Sequence, residues 1–211
     1  MKPVKLKVCG ITTFEDAEAA VACGADYLGF NFYPPSPRYI SPERAREIID
    51  RLQGDVQTVG VFVNEQRPDD VTRIMVESGV QLAQLHGDES AAYCAAIGAH
   101  RVIKAIRVTQ DFEPVTVLDY KTAAVLLDAH DESLYGGTGK KTDWNLARAA
   151  AQLTHVILAG GLAPHNIAEA IRTVMPFGVD VNSGVESSPG RKDAAKLRLL
   201  KKEIEAWIGT S

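Results

Sequence analysis

The stretch TVGVFVNEQRPDDVTRIMVESGVQLAQLHG, residues 58–87, decides how the rest of the chain reads. It opens on a short run rich in Val and Phe, TVGVFVN (58–64), and closes on a second apolar run, LAQLHG (82–87). Between them RPDDVTRIMVESG has helical character. Strand, helix and strand in so short a span imply two parallel strands joined by a helical crossover.

The same alternation continues in both directions. Towards the N-terminus lie VKLKVCGI (4–11) and YLGFNFY (27–33); towards the C-terminus lie RVIKAIRV (101–108), AAVLLDAH (123–130), HVILAGG (155–161) and GVDVNSG (178–184). Helical segments separate them, and TQDFEPVTVLDY is the least regular, because Pro114 argues against a long helix there. Thr12 and Glu15 have capping-box spacing. Ser41-Pro42 and Ala163-Pro164 place proline where a first helical turn tolerates it. In the last segment Ala194, Leu197, Leu200, Ile204, Trp207 and Ile208 recur at three- and four-residue steps, forming one apolar face. Eight such units predict an α/β chain folded as a single, compact (β/α)8 TIM barrel over residues 1–211, ahead of an open doubly wound sheet. No linker composition divides the chain.

Composition bounds the function. Net charge is -4, which argues against a nucleic-acid partner. No long apolar segment follows the N-terminal lysines, so neither a signal peptide nor membrane insertion is expected. The three cysteines, Cys9, Cys23 and Cys94, have no framework spacing; reduced thiols and a cytoplasmic location are expected. Cys23 and Cys94 read as packing residues of helical segments.

In a barrel of this kind the chemistry gathers at the C-terminal ends of the strands. There the sequence places Cys9, Arg38, Asn64, His86, Asp128, the Gly160-Gly161 pair and Asn182-Ser183-Gly184, with a Gly136-Gly137-Thr138-Gly139 loop after the sixth strand. Glycines before helix starts, after strands seven and eight, let backbone N–H groups approach a phosphate. The plainer alternative is a set of tight turns. Arg38 suits a carboxylate ligand in bidentate fashion, or is a solvated surface residue. Alternation puts Ala124, Leu126 and Asp128 on one face, so an inward face would bring Asp128 to the barrel mouth as a general acid, or leave it capping a loop. Cys9 shares its face with Lys5 and Lys7, whose charge would favour a thiolate; most buried free cysteines, however, only pack. His86 either serves the site or satisfies backbone groups. Lys7 and Asp180 share the parity of their strands' terminal polar residues, which predicts an ion pair beneath the site.

The strings KVCGIT (7–12), GADYLGF (24–30), SPRYI (36–40), QLHG (84–87), LLDAH (126–130), GGTGKKTDW (136–144), LAGGL (158–162), GVDVNSGVE (178–186) and PGRKD (189–193) together resemble the phosphoribosylanthranilate isomerases of tryptophan biosynthesis. They run in order across nearly the whole chain. The resemblance implies an isomerase that converts an aminoaldose into an aminoketose by an Amadori rearrangement. It implies Cys9 as general base, Asp128 as general acid and Arg38 on the anthranilate carboxylate. His86 and Asp180 complete the expected substrate-binding set, and Gly137, Gly139, Gly160, Gly161, Ser183 and Gly184 form the expected phosphate site. It further implies no metal, no cofactor, a small phosphosugar as the partner, and a monomer ahead of a homodimer. Thr142 departs from the pattern, since many members carry an aromatic residue there. Two other readings remain at this point. One is the related barrel isomerase of histidine biosynthesis, which uses two aspartates. The other is a phosphosugar-binding barrel without turnover.

Overall fold

The computed structural model describes residues 4–109, 111–128 and 144–209 of the chain. Eight parallel strands close into one barrel, which excludes the open sheet. They are β1 (Lys5–Val8), β2 (Tyr27–Asn31), β3 (Gln57–Phe62), β4 (Leu82–Leu85), β5 (Val102–Arg107), β6 (Ala124–Asp128), β7 (Val156–Ala159) and β8 (Gly178–Val181). Strand β1 closes the ring by pairing with both β2 and β8, so that Lys7 lies in register with Tyr27 on one side and Asp180 on the other.

Helices α1 (Phe14–Ala22), α2 (Pro42–Ile49), α3 (Pro68–Ser78), α4 (Ala91–Ile97), α5 (Trp144–Ala151), α6 (Ile167–Val174) and α7 (Ala194–Gly209) follow their strands in turn. The β5–β6 connection instead holds a 3-10 helix, Pro114–Asp119, as the proline foreshadowed. Strand alternation divides the core. Val59, Ile103, Ala105, Ala124, Leu126, Ile157 and Ala159 fill the barrel interior. The opposite parity, including Phe30, Leu85, Leu127 and Leu158, packs against the helices. From α3, Val71 and Met75 join this outer layer fully buried; each such side chain contributes roughly 1.5–3 kcal/mol. From α7, Leu197, Leu200 and Ile204 are buried, while Ala194 is exposed and so leaves the expected face.

Two expected helix starts move. The N-cap of α1 is Thr13, whose Oγ1 accepts from the Asp16 N–H at 3.2 Å, whereas the Thr12 hydroxyl donates to the carbonyl of Gly190. Helix α6 begins only at Ile167, after Asn166; Pro164 belongs to the turn that precedes it. That turn is held by Asn166, whose Oδ1 accepts from the Ala163 N–H at 2.8 Å and whose Nδ2 donates to the Gly161 carbonyl at 3.1 Å. After β8 the chain makes a short antiparallel hairpin, β9 (Glu186–Ser188) with β10 (Arg191–Lys192), before α7. The hairpin was not foreseen, and it carries part of the site.

Candidate active site

The residues that close the barrel build a dry wall. Lys7 is fully buried on the inward face of β1, and its Nζ lies 3.0 Å from Asp180 Oδ1 on β8, as the strand parity predicts. Cys9 follows two residues on along the same stripe, 6% exposed, with its N–H donating to the Val181 carbonyl at 2.9 Å. Gly29 on β2 makes room for them: a Cβ there would stand 2.7 Å from Cys9 Sγ and 3.1 Å from Lys7 Nζ. A side chain there would have to displace the thiol, so Gly29 lets Cys9 and Lys7 keep their places. Burial alone would push the Lys7 ammonium down, but the Asp180 carboxylate and the Cys9 sulfur outweigh it and hold Lys7 above the ordinary lysine range. Burial pushes the Cys9 thiol up, against the downward pull of Lys7 and Lys192.

Beside Cys9, Arg38 is carried by the turn after β2. Ser36 Oγ accepts from the Arg38 N–H at 3.1 Å and from Asn31 Nδ2 at 3.1 Å. The guanidinium grips Glu186 of the hairpin: Nε reaches Oε1 at 2.9 Å and Nη2 reaches Oε2 at 2.7 Å. Lys192 Nζ adds a second cation, 2.8 Å from Glu186 Oε1 and 3.0 Å from Asn182 Oδ1.

The opposite wall is wet. Asp128 ends the interior stripe of Ala124 and Leu126, as parity predicts, and its side chain is 30% exposed in a cavity of about 640 Å³. Asn64, His86, Arg107 and Tyr120 line that cavity with it. His86 Nε2 lies 3.5 Å from Asp128 Oδ2. On its other side His86 Nδ1 lies 2.8 Å from the Gln84 carboxamide nitrogen, so the ring is held between Gln84 and Asp128. Beneath the rim, Lys104 Nζ donates to Glu89 Oε2 at 2.9 Å and to the carbonyls of Leu85 and Gly87 at 3.2 and 2.6 Å. Glu89 in turn accepts from the backbone N–H groups of Asn64 and Gly87 at 2.8 and 3.0 Å. This buried cluster ties the ends of β3, β4 and β5 together and so fixes where His86 stands.

Between the two walls run the turns after β7 and β8. Gly160 and Gly161 have φ of +97° and +63°, a left-handed backbone that favours glycine. Ser183 and Gly184 form a short 3-10 turn with Val185. A Cβ on Gly184 would stand 2.1 Å from the Leu162 carbonyl oxygen, so only glycine lets the two turns meet. Gly137, Gly139 and Thr142 lie outside the described residues.

Residues 6–203 match the family model of N-(5'-phosphoribosyl)anthranilate (PRA) isomerase. The chain belongs to the N-(5'-phosphoribosyl)anthranilate isomerase family. It is 53% identical over 196 residues to the isomerase of Trichlorobacter lovleyi, covering 92% of this chain and 95% of that one. A solved member in complex with reduced 1-(o-carboxyphenylamino)-1-deoxyribulose 5-phosphate superposes with a TM-score of 0.85 at 39% identity, over 96% of this chain and 99% of that one. Monomers generated from the dimeric Thermotoga maritima isomerase superpose with a TM-score of 0.83 at 40% identity, over 96% and 98%. The chain is thus a phosphoribosylanthranilate isomerase of tryptophan biosynthesis. Among the described residues no helix is long and apolar enough to cross a membrane.

Of the expected site residues, the barrel brings Cys9, Arg38 and Asp180 to the β8–β1–β2 side, His86 and Asp128 to the β4–β6 side, and Gly160, Gly161, Ser183 and Gly184 to the turns between them. Asp180 is 8% exposed and engaged by Lys7, so it lies under the site rather than at its surface. Sequence reasoning missed Glu186, Lys192, Glu89 and Lys104. A lysine inside an apolar strand, as in RVIKAIRV, was the available signal for one of them, because a buried ammonium requires partners.

Proposed function

We propose that Cys9 is the general base and Asp128 the general acid of the Amadori rearrangement of N-(5'-phosphoribosyl)anthranilate to carboxyphenylamino-deoxyribulose phosphate. The observation that carries this reading is positional. Cys9 and Asp128 end inward-facing stripes at the same rim, from β1 and β6, with β7 and β8 and their glycine turns between them. Asp128 gives its proton to the furanose ring oxygen, and the C1–O bond opens to a Schiff base. Cys9 takes the proton from C2, and the electron pair moves to the nitrogen, giving an enolamine. Tautomerisation then yields the ketone. One proton enters and one leaves, as an isomerisation requires.

Each wall suits its task. A thiolate left in the dry wall lies against the Lys7 ammonium, which Asp180 keeps charged. Asp128 borders the open cavity, where water can restore its proton. The turns at Gly160, Gly161, Ser183 and Gly184 hold the phosphate, Arg38 holds the anthranilate carboxylate, and His86 orients Asp128. Fixing both substrate ends supplies orientation. The three free, buried cysteines fit the reducing cytoplasm.

The test is a fluorescence decay. The substrate is generated in situ from anthranilate and phosphoribosyl pyrophosphate with the preceding transferase, and the protein is then added. Rapid loss of substrate fluorescence with recovery of the ketose is expected. No acceleration over spontaneous decay by folded protein would leave a phosphosugar-binding barrel.

A further inference from the structure

We propose that Glu186 is a positioning residue for the carboxylate end of the substrate: it occupies the Nε–Nη2 edge of Arg38 and so presents the guanidinium's remaining edge to the aryl carboxylate. The proposal rests on the assignment of Arg38 to that carboxylate.

An arginine has two edges that can take a carboxylate in bidentate fashion, one through Nε and Nη2 and one through Nη1 and Nη2. Glu186 takes the first completely, with contacts of 2.9 Å and 3.2 Å from Nε and 2.7 Å from Nη2. Among the described residues Nη1 donates no hydrogen bond, and one Nη2 proton is also unused. The second edge is therefore available for a ligand.

Glu186 does not compete for that place. Its side chain is 4% exposed, and its Oε1 also accepts from Lys192 Nζ at 2.8 Å and from the Gly190 N–H at 3.2 Å. It is sealed behind the arginine, with both carboxylate oxygens engaged by protein donors. The charges favour the same reading. Arg38 and Glu186 alone would be a neutral pair with little pull on an anion. Lys192 leaves the cluster at net +1, so an arriving carboxylate restores neutrality. A guanidinium already clamped by Glu186 and carried on the Ser36 turn needs no ordering when the substrate arrives.

The test compares the affinities of two ligands, the reduced product analogue and its counterpart with phenyl in place of carboxyphenyl. Titration calorimetry measures both on wild type, Arg38→Met and Glu186→Gln. Wild type is expected to prefer the carboxylated ligand, and Arg38→Met to abolish the preference. Glu186→Gln raises the cluster to net +2, which by itself would tighten anion binding; loss of the clamp is expected to outweigh this, weakening the carboxylated ligand by roughly tenfold and changing the other by less than about twofold. If Glu186→Gln weakened both ligands equally, or neither, Glu186 would be structural only and the proposal overturned. If wild type showed no preference, the Arg38 assignment would fall first and the proposal with it. Should Glu186→Gln not fold, Glu186→Asp reads the same ratio, since it keeps the charge and draws the carboxylate back by one methylene.

Discussion

The two walls of the barrel mouth solve opposite problems. On the β8–β1–β2 side, Lys7, Asp180, Cys9, Arg38, Glu186 and Lys192 form a packed, dry arrangement in which each buried charge has an opposite one in contact. On the β4–β6 side, His86 and Asp128 stand 3.5 Å apart at the edge of an open cavity. A cysteine can take a proton only as the thiolate, and in a buried place that anion needs a cation such as Lys7 at hand. An acid that must be reloaded with a proton each turnover needs water nearby. The difference in solvent exposure matches the division of labour proposed for Cys9 and Asp128.

The sharpest way to break this comparison is to remove one polar side chain from each wall. Lys7→Met leaves Asp180 buried without its partner and is expected to cost roughly 3–5 kcal/mol of stability. His86→Ala, at the wet rim, is expected to cost about 0.5 kcal/mol or less. Urea unfolding of the two variants checks this, and equal losses would erase the distinction between the walls.

A second perturbation acts on placement alone. Gly29→Ala puts a methyl group where Cys9 Sγ now lies 2.7 Å away, and the thiol must move. Misplacement by about 1 Å costs on the order of 10²-fold in turnover, so kcat should fall while KM stays near its wild-type value. Steady-state kinetics that show a KM effect instead would move Cys9 from chemistry to binding.

The legible and the illegible parts of the chain separate along physical lines. Period-2 alternation fixes which side chains point inward, so the barrel, the inward placement of Asp128 and the Lys7–Asp180 pair could all be read from local pattern. The start of α6 could not, because Pro164 serves the turn that Asn166 ties down. Nor could the start of α1, since the Thr12 hydroxyl is drawn to Gly190, 178 residues away in sequence. Glu186 stayed hidden for the same reason. Its partner Arg38 is 148 residues distant, and no spacing rule connects a loop after β2 with a hairpin after β8.

The smallest expected effect concerns acid stability. Burial raises the Glu186 carboxyl, but hydrogen bonds from Arg38 and Lys192 outweigh it and hold it below the ordinary glutamate range. A depressed folded-state pKa adds stability that is present above the unfolded value and lost as pH falls through the folded one. Wild type should therefore lose stability below about pH 4.5, and Glu186→Gln should lack that component. Urea midpoints between about pH 3 and pH 6 would reveal it; parallel curves for the two proteins would count against the clamp.

Single-turnover decay of substrate fluorescence in Cys9→Ala and Asp128→Asn tests the proposed base and acid most directly. Both variants should remain folded and bind the reduced product analogue, yet slow the decay by roughly 10²-fold or more. Decay near the wild-type rate in either folded variant would contradict the assignment of that residue as base or acid.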